Sequence, residues 1–275
     1  MPNEPESDLD KVARWAGDPL AFVLEAFAWG EGELAGHAGP RSWQAAILTD
    51  IGQRIRSGSA IDDALQIAVA SGHGIGKSAL VSMTILWALV TRIDTRAVVT
   101  ANTERQLTTK TWPELAKWHR LCTLRDSFTY TATSLYSADP LHEKTWRVDA
   151  IPWSLNNTEA FAGLHNKGRR VLVVFDEASA IPDEIWQVAE GALTDADTEI
   201  IWLAFGNPTR NTGRFRECFG SLRHRWQTQQ IDSRTVEGVN TSQMAKWVED
   251  YGEDSDFVRV RVRGVFPRAG SSQFI

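Results

Sequence analysis

The chain has 275 residues, of which 43% are hydrophobic and 23% charged, with 20 glycines and 10 prolines. That is material for a sizeable core and roughly one to two domains, and it excludes fibrous and disordered chains. Because 35 acidic side chains outweigh 29 basic ones, for a formal charge of −6, no overall basic field binds nucleic acid indiscriminately, and only a local basic patch is open.

The N-terminus, Met1 to Asp8, is acidic and does not read as a secretory signal. From Leu9 to Trp29 and from Trp43 to Ile55, apolar residues recur every three or four positions, with the glycine-rich Gly30 to Gly39 between them. This spacing predicts two or three helices. Ala64 to Ala70 is a short apolar run leading into glycines, and Lys77 to Ile93 is long enough only for a helix. Within it, the uncharged run Ser78 to Thr91 is shorter than the ~18 residues that span a bilayer, which predicts a soluble protein with no membrane partner.

Short apolar runs then alternate with helical patterns: Ala97 to Thr100, helix-like Glu104 to Leu121, Phe128 to Thr131, Trp146 to Trp153, Val171 to Phe175 and Ile200 to Phe205. The alternation predicts an α/β fold with a largely parallel sheet flanked by helices. Pro113 must lie in a first turn or at a kink. Thr241 to Arg263 reads as helical again, and Ala269 to Ser272 as the start of a linker. The expected division is an N-terminal helical segment (1–60), a core (61–235), a C-terminal helical lid (236–268) and the start of a linker (269–275). Cys122 and Cys218 form no CxxC pair and indicate neither a disulfide framework nor a zinc site. The 12 tryptophans follow no fixed period, which predicts packing roles.

Ser71-Gly-His-Gly-Ile-Gly-Lys-Ser78 matches the phosphate-loop pattern G-x-x-x-x-G-K-[ST], with Ser71 in the first glycine position. Gly72, Gly74 and Gly76 allow the backbone to curl so that N–H groups, including those of His73 and Ile75, face an anion beside a helix N-terminus. Lys77 is expected to reach the β- and γ-phosphates, and Ser78 to offer a hydroxyl to Mg²⁺. His73 is read as a loop residue, not a metal ligand. About a hundred residues on, Val171-Leu-Val-Val-Phe-Asp-Glu177 places carboxylates at a strand end. Asp176 is the expected Mg²⁺ partner, and Glu177 the group that orients or deprotonates the attacking water, with simple capping of the next segment as the alternative. Asn207, in Gly206-Asn-Pro208, is a γ-phosphate sensor or part of an ordinary Asn-Pro turn.

Arg41-Ser-Trp-Gln44, the loop, Thr100 to Gln106, Val173 to Ser179, Gly206 to Pro208, Asp232-Ser-Arg234, Tyr251 to Ser255 and Val260 to Pro267 together resemble the ATPase part of tailed-phage large terminases, over about residues 40 to 268. The resemblance implies a P-loop NTPase of the additional-strand, catalytic-glutamate type that binds ATP and Mg²⁺. It implies a ring of its own subunits docked on a portal protein in the host cytoplasm, driving double-stranded DNA into a procapsid, with a small terminase subunit as partner. Gln44 would read adenine, and Asn207 would lie in the coupling motif. A helicase-like or repair ATPase with the same core, or a non-hydrolysing nucleotide-binding scaffold, are the alternatives.

The loop lacks the arginine that many family members carry there, having Gly72 and His73 instead, and Ala162-Gly163 replaces an Arg-Gly pair. The arginine-finger candidates are therefore Arg169, Arg170, Arg210 and Arg214. Lys110, Lys117, Arg120 and Arg125 lie along one segment, as a solvated helix face or a DNA-channel lining. The family's complete chains continue into a nuclease domain, so the expectation is either a truncated chain or an isolated motor module, in both cases without DNA cutting.

Overall fold

The computed structural model describes residues 6–101, 103–153 and 164–268, apart from the side chains of Asp62 and Ala192. The N-terminal helices α1 (Asp8–Ala16) and α2 (Pro19–Glu25) are opened by Ser7 and Asp18, whose side chains accept from the amides of Asp10 and Ala21. They are followed by α3 (Ser42–Arg56) and the short α4 (Ser59–Asp62). Strand β1 (Leu65–Ser71) leads through the glycine-rich loop into α5 (Lys77–Thr91), then β2 (Arg96–Ala101).

The next helical stretch is not uniform. α6 (Glu104–Gln106) passes into a π turn at Leu107–Thr111 before α7 (Trp112–Leu121). Pro113 falls in the first turn of α7, where its missing N–H costs little. After it come β3 (Phe128–Tyr130), β4 (Ser134–Ser137), β5 (Arg147–Ala150) and β6 (Arg170–Asp176), then α8 (Asp183–Glu190), β7 (Glu199–Gly206), α9 (Arg214–Cys218), β8 (Gln227–Ile231), α10 (Thr241–Tyr251) and α11 (Asp256–Arg261).

One eight-stranded sheet has the order β3-β4-β5-β2-β6-β7-β1-β8. From β5 to β8 every neighbouring pair is parallel, and only β4 runs opposite to the rest, pairing antiparallel with β3 on one side and β5 on the other. The α/β class expected from the alternation is thus the fold observed. Strands β1, β6 and β7 are buried along their whole length, as parallel strands covered on both faces must be. Leu172 and Val174 face the layer holding α1, α2, α3 and α5, in a core with Trp15, Phe22, Ile47 and Trp87. Val171, Val173 and Phe175 face the opposite layer, with Trp186, Trp202, Trp226 and Phe215. There the Trp186, Trp202 and Trp226 rings lie 5.2–5.8 Å apart, which accounts for these tryptophans by packing.

Two strands have no counterpart in the sequence reading, β4 (SLYS) and β8 (QTQQI). Strand β8 is a sheet edge and mostly only half-buried, so it carries no apolar run. The C-terminal helical stretch is broken at Gly252, whose φ of 84° ends α10. The strand ends are in register, with Ala70 beside Gly206 and Asp176 beside Phe205. Residues from three distant parts of the chain therefore emerge at one edge of the sheet, where open α/β sheets place their ligands.

Candidate nucleotide site

The phosphate loop joins β1 to α5 at that edge. Gly74 and Gly76 adopt left-handed φ values of 76° and 83°, as the expected curl requires. Gly72 serves another purpose. Its φ is not positive, and an added Cβ would lie 2.3 Å from both the Ser233 hydroxyl and the Val262 carbonyl. The reading of Gly72 as a curl residue is therefore corrected: glycine is needed there because the C-terminal segment packs against the loop. His73 is held by the same segment, its N–H donating to the Arg261 carbonyl at 2.8 Å and its carbonyl accepting from Ser233 Oγ at 2.8 Å. Burial, reinforced by the Lys77 charge, pushes the His73 imidazole down to about 4, so it is neutral at pH 7.

Ser71 replaces the first glycine with a useful side chain. Lys77 Nζ donates to Ser71 Oγ at 3.2 Å and to Asn207 Oδ1 at 3.3 Å, while Asn207 Nδ2 donates to the Ser71 carbonyl at 2.6 Å. Asn207 is buried and touches the lysine directly, so it is more than a turn residue after β7.

The Asp176 carboxylate is buried at the end of β6. It accepts from Thr111 Oγ1 at 2.7 Å and from the Glu177 amide at 3.1 Å. Thr111, unmarked in the sequence reading, is delivered by the π turn, a distortion that often occurs at functional sites. Glu177 has φ 53° and ψ 44°, a left-handed conformation costly for a residue with a Cβ. Its side chain makes no cap hydrogen bond to the 3-10 turn that follows, which removes the capping alternative. Gly206 explains the close approach here, since a Cβ on it would lie 3.1 Å from the Ala178 amide.

Oxygen donors alone suit Mg²⁺, which is held through one or two protein groups plus phosphates. The Ser78 hydroxyl at the start of α5 and the Asp176 carboxylate are donors of that kind. Burial, followed by the Glu177 charge, pushes Asp176 up to about 6, against the pull of Thr111 and Lys77. The folded value lies above the ~3.9 of an unfolded aspartate, so this group's contribution to stability is full below that value and is lost as pH rises through about 6. Metal binding needs the ionised form and has the opposite dependence. Mg²⁺-dependent nucleotide affinity is expected to fall as pH drops through about 6. Thr111→Val, which deletes a bond to the ionised form, should raise that midpoint and weaken affinity at neutral pH by roughly threefold to tenfold. A nucleotide titration across that pH range checks both, and an unmoved midpoint would remove Thr111 from the site.

The first turn of α3 leans on the loop. Arg41 Nη1 donates to the Gly74 carbonyl at 2.8 Å, Trp43 Nε1 to Ile75 at 2.9 Å and Gln44 Nε2 to Gly76 at 2.8 Å. Gln44 Oε1 accepts from the Arg41 amide at 2.8 Å, so each end of its amide is already engaged once. Gln44 also lines a cavity of about 210 Å³ with Trp29, His37, Gly76 and Ala79.

The four arginine candidates separate. Arg170 is fully buried at the start of β6, the edge away from the loop, where it is paired with Glu199 and lies 4.2 Å over the Trp87 ring. That placement overturns its candidacy: it can reach neither its own phosphate site nor a neighbour's. Arg169 precedes β6 at the same far edge, 3.7 Å from Asp94, so it cannot serve its own site. Arg214 is tied to Glu190 and Glu217. Arg210 follows β7 at the near edge, exposed and without an acidic partner among the described residues. Ala162 and Gly163 lie outside the described residues. Three of the four basic residues near α7 are paired, Lys117 with Glu114, Arg120 with Glu33 and Arg125 with Asp126, as on a solvated face.

No family model matches the chain. A curated relative, the probable terminase large subunit of Enterobacteria phage P7, is 27% identical over 222 residues, covering 74% of this chain and 42% of the relative. The chain thus spans less than half the length of that relative. Among solved structures, the large terminase of a thermophilic bacteriophage superposes with a TM-score of 0.60 at 13% identity, over 82% of this chain and 53% of that one. The same protein in complex with ADP gives 0.59 at 12% identity, with the same coverage. The ATPase domain of the Thermus phage P74-26 large terminase gives 0.53 at 15% identity, over 73% and 88%. The chain is thus similar in sequence to a phage large terminase, and its mostly parallel α/β sheet is the fold of large terminase ATPase domains. No helix among the described residues is long and apolar enough to cross a membrane.

Proposed function

We propose that this chain is the ATP-hydrolysing motor of a phage large terminase, moving double-stranded DNA into a procapsid in the host cytoplasm. Its partners on this reading are its own subunits in a ring, a portal protein and a small terminase subunit. The observation that carries the reading is the convergence of Lys77, Asn207, Asp176 and Glu177 at one sheet edge beside the phosphate loop. A nucleotide-binding scaffold has no need of a second, strained carboxylate there.

In the proposed reaction, loop amides and the Lys77 ammonium hold the β- and γ-phosphates, and Gln44 turns its remaining N–H and lone pair to adenine. Ser78 and Asp176 would hold Mg²⁺, which when bound would offset negative charge on the phosphate oxygens. The Glu177 carboxylate orients water and accepts its proton as the water oxygen bonds to the γ-phosphorus and the bond to the β,γ-bridging oxygen breaks. Asn207 then loses a phosphate neighbour while still bonded to Lys77 and Ser71, which links product release to the ends of β1 and β7. Arg210 is the finger candidate best placed at this edge, with Arg169 open only to a neighbouring subunit's site and Arg214 engaged by Glu190 and Glu217. Residues 236–268 act as the lid, since the Arg261 carbonyl grips the loop at His73.

Phosphate release from ATP with Mg²⁺, measured over a range of protein concentrations with and without duplex DNA, tests this. The expected result is weak turnover by the dilute chain, with a rate per subunit that rises with concentration and with DNA. A flat, DNA-independent rate would defeat the ring-motor reading. Strand separation of the duplex would point to a helicase-like enzyme instead.

A further inference from the structure

We infer that Arg41 and Trp43, with Gln44, form a clamp that holds the phosphate loop in its anion-binding shape, making Arg41 and Trp43 positioning residues for polyphosphate. The inference rests on the nucleotide reading above and assigns to the Arg41 to Gln44 segment a task separate from adenine recognition.

Three consecutive loop carbonyls, of Gly74, Ile75 and Gly76, each accept one hydrogen bond from the first turn of α3, at 2.8, 2.9 and 2.8 Å. All described peptide bonds are trans, so each carbonyl that points toward α3 turns the next residue's N–H the opposite way. The amides of Ile75, Gly76 and Lys77 therefore face away from the helix. Gly74 and Gly76 are left-handed while Ile75 between them does not have a positive φ, and left-handed residues in a tight loop of this kind let successive N–H groups converge on an anion. Among the described residues, the amides of Gly74, Ile75 and Gly76 find no acceptor. The loop thus presents donors that no described residue satisfies.

Glycine peptides turn over readily, and a turned peptide would aim a carbonyl oxygen at the phosphate. The bonds from Arg41 and Trp43 each oppose one such flip, at carbonyls with no other donor among the described residues, whereas the Gly76 carbonyl is also held by the Leu80 amide at 3.2 Å. The clamp is itself braced: the Arg41 amide donates to Gln44 Oε1, the Ile75 side chain is fully buried, and a Cβ on Gly76 would lie 3.0 Å from Gln44 Nε2. Trp43 is buried with its indole N–H committed to the loop, an apolar residue whose polar atom has a directional task.

The test compares ATP with inorganic tripolyphosphate, which has the phosphates but no base, by competition against a fluorescent nucleotide. Trp43→Phe keeps a ring in the site and deletes one N–H. It should weaken ATP and tripolyphosphate by the same factor, about fivefold, the usual effect of one lost hydrogen bond. Arg41→Met, at a half-buried position, should do likewise and supplies the answer if Trp43→Phe does not fold. Unchanged tripolyphosphate affinity in a folded variant would overturn the clamp, as would a loss confined to ATP, which would assign the segment to the base alone. If the wild-type chain binds neither ligand, the nucleotide reading fails first and the clamp with it.

Discussion

Glu177→Gln is expected to lower phosphate release by about a hundredfold to ten-thousandfold, the usual worth of a positioned general base. The carboxamide has the same size and can keep the left-handed backbone at position 177, but it cannot accept a proton from water. ATP binding should survive. Glu177's charge is one of the causes that raise Asp176, so removing it leaves Asp176 more readily ionised and does not weaken Mg²⁺ binding. Rate and affinity therefore separate: single-turnover phosphate release should collapse while the nucleotide dissociation constant stays within about twofold of wild type, since no ground-state contact is lost. If the variant turns over at the wild-type rate, the base lies elsewhere, and the strain at position 177 has another origin.

The second large effect concerns stability. Arg170→Met should lower the free energy of unfolding by ~3–5 kcal/mol, because it leaves Glu199 buried without its partner. Arg170 also donates to the Ala88 carbonyl at 3.1 Å and to Thr91 Oγ1 at 2.8 Å, tying the end of α5 to the start of β6. The loss is a large share of the ~5–15 kcal/mol that holds a domain folded. Adding Glu199→Leu should restore much of it, since replacing both members of a buried pair by apolar groups is often neutral. Urea unfolding of the single and double variants checks this, with nucleotide affinity of the folded fraction unchanged, because the pair lies at the edge of the sheet away from the loop. A single variant as stable as wild type would mean that water reaches Glu199.

The residues that could be named from the chain alone are those whose chemistry is written locally. Gly74, Gly76, Lys77 and Ser78 are neighbours, and the curl they permit depends on backbone freedom within eight positions (71–78). The apolar runs that became β1, β6 and β7 were legible because parallel strands covered on both faces must be apolar throughout, and the carboxylates that close β6 were visible as a break in such a run. The helical N-terminal segment was equally plain, since its apolar periodicity is local. Strand β8 was not, because an edge strand half-open to water needs no apolar pattern, and its glutamines and threonine read as loop.

Tertiary structure alone decided what each outlying residue does. Thr111 and Asp176 are 65 positions apart, Asn207 and Ser71 are 136 apart, and Arg41 and Gly74 are 33 apart. No periodicity links such pairs, because sheet order and register bring them together, and these depend on the packing of the whole chain. Four arginines that look alike in sequence were separated in the same way: the direction of β6 carried Arg170 to the far edge and into the core, while Arg210, just past the end of β7, stayed exposed at the near one. Gly72 belongs with them, since the need for glycine there comes from Ser233 and Val262, and not from its own backbone angles. The sequence by itself determined the phosphate loop, the strand-end carboxylates and the α/β class, since each is a matter of local backbone freedom or of burial along a single segment. Which distant side chains brace those groups, and which charges lie out of their reach, was set only when the sheet closed around them.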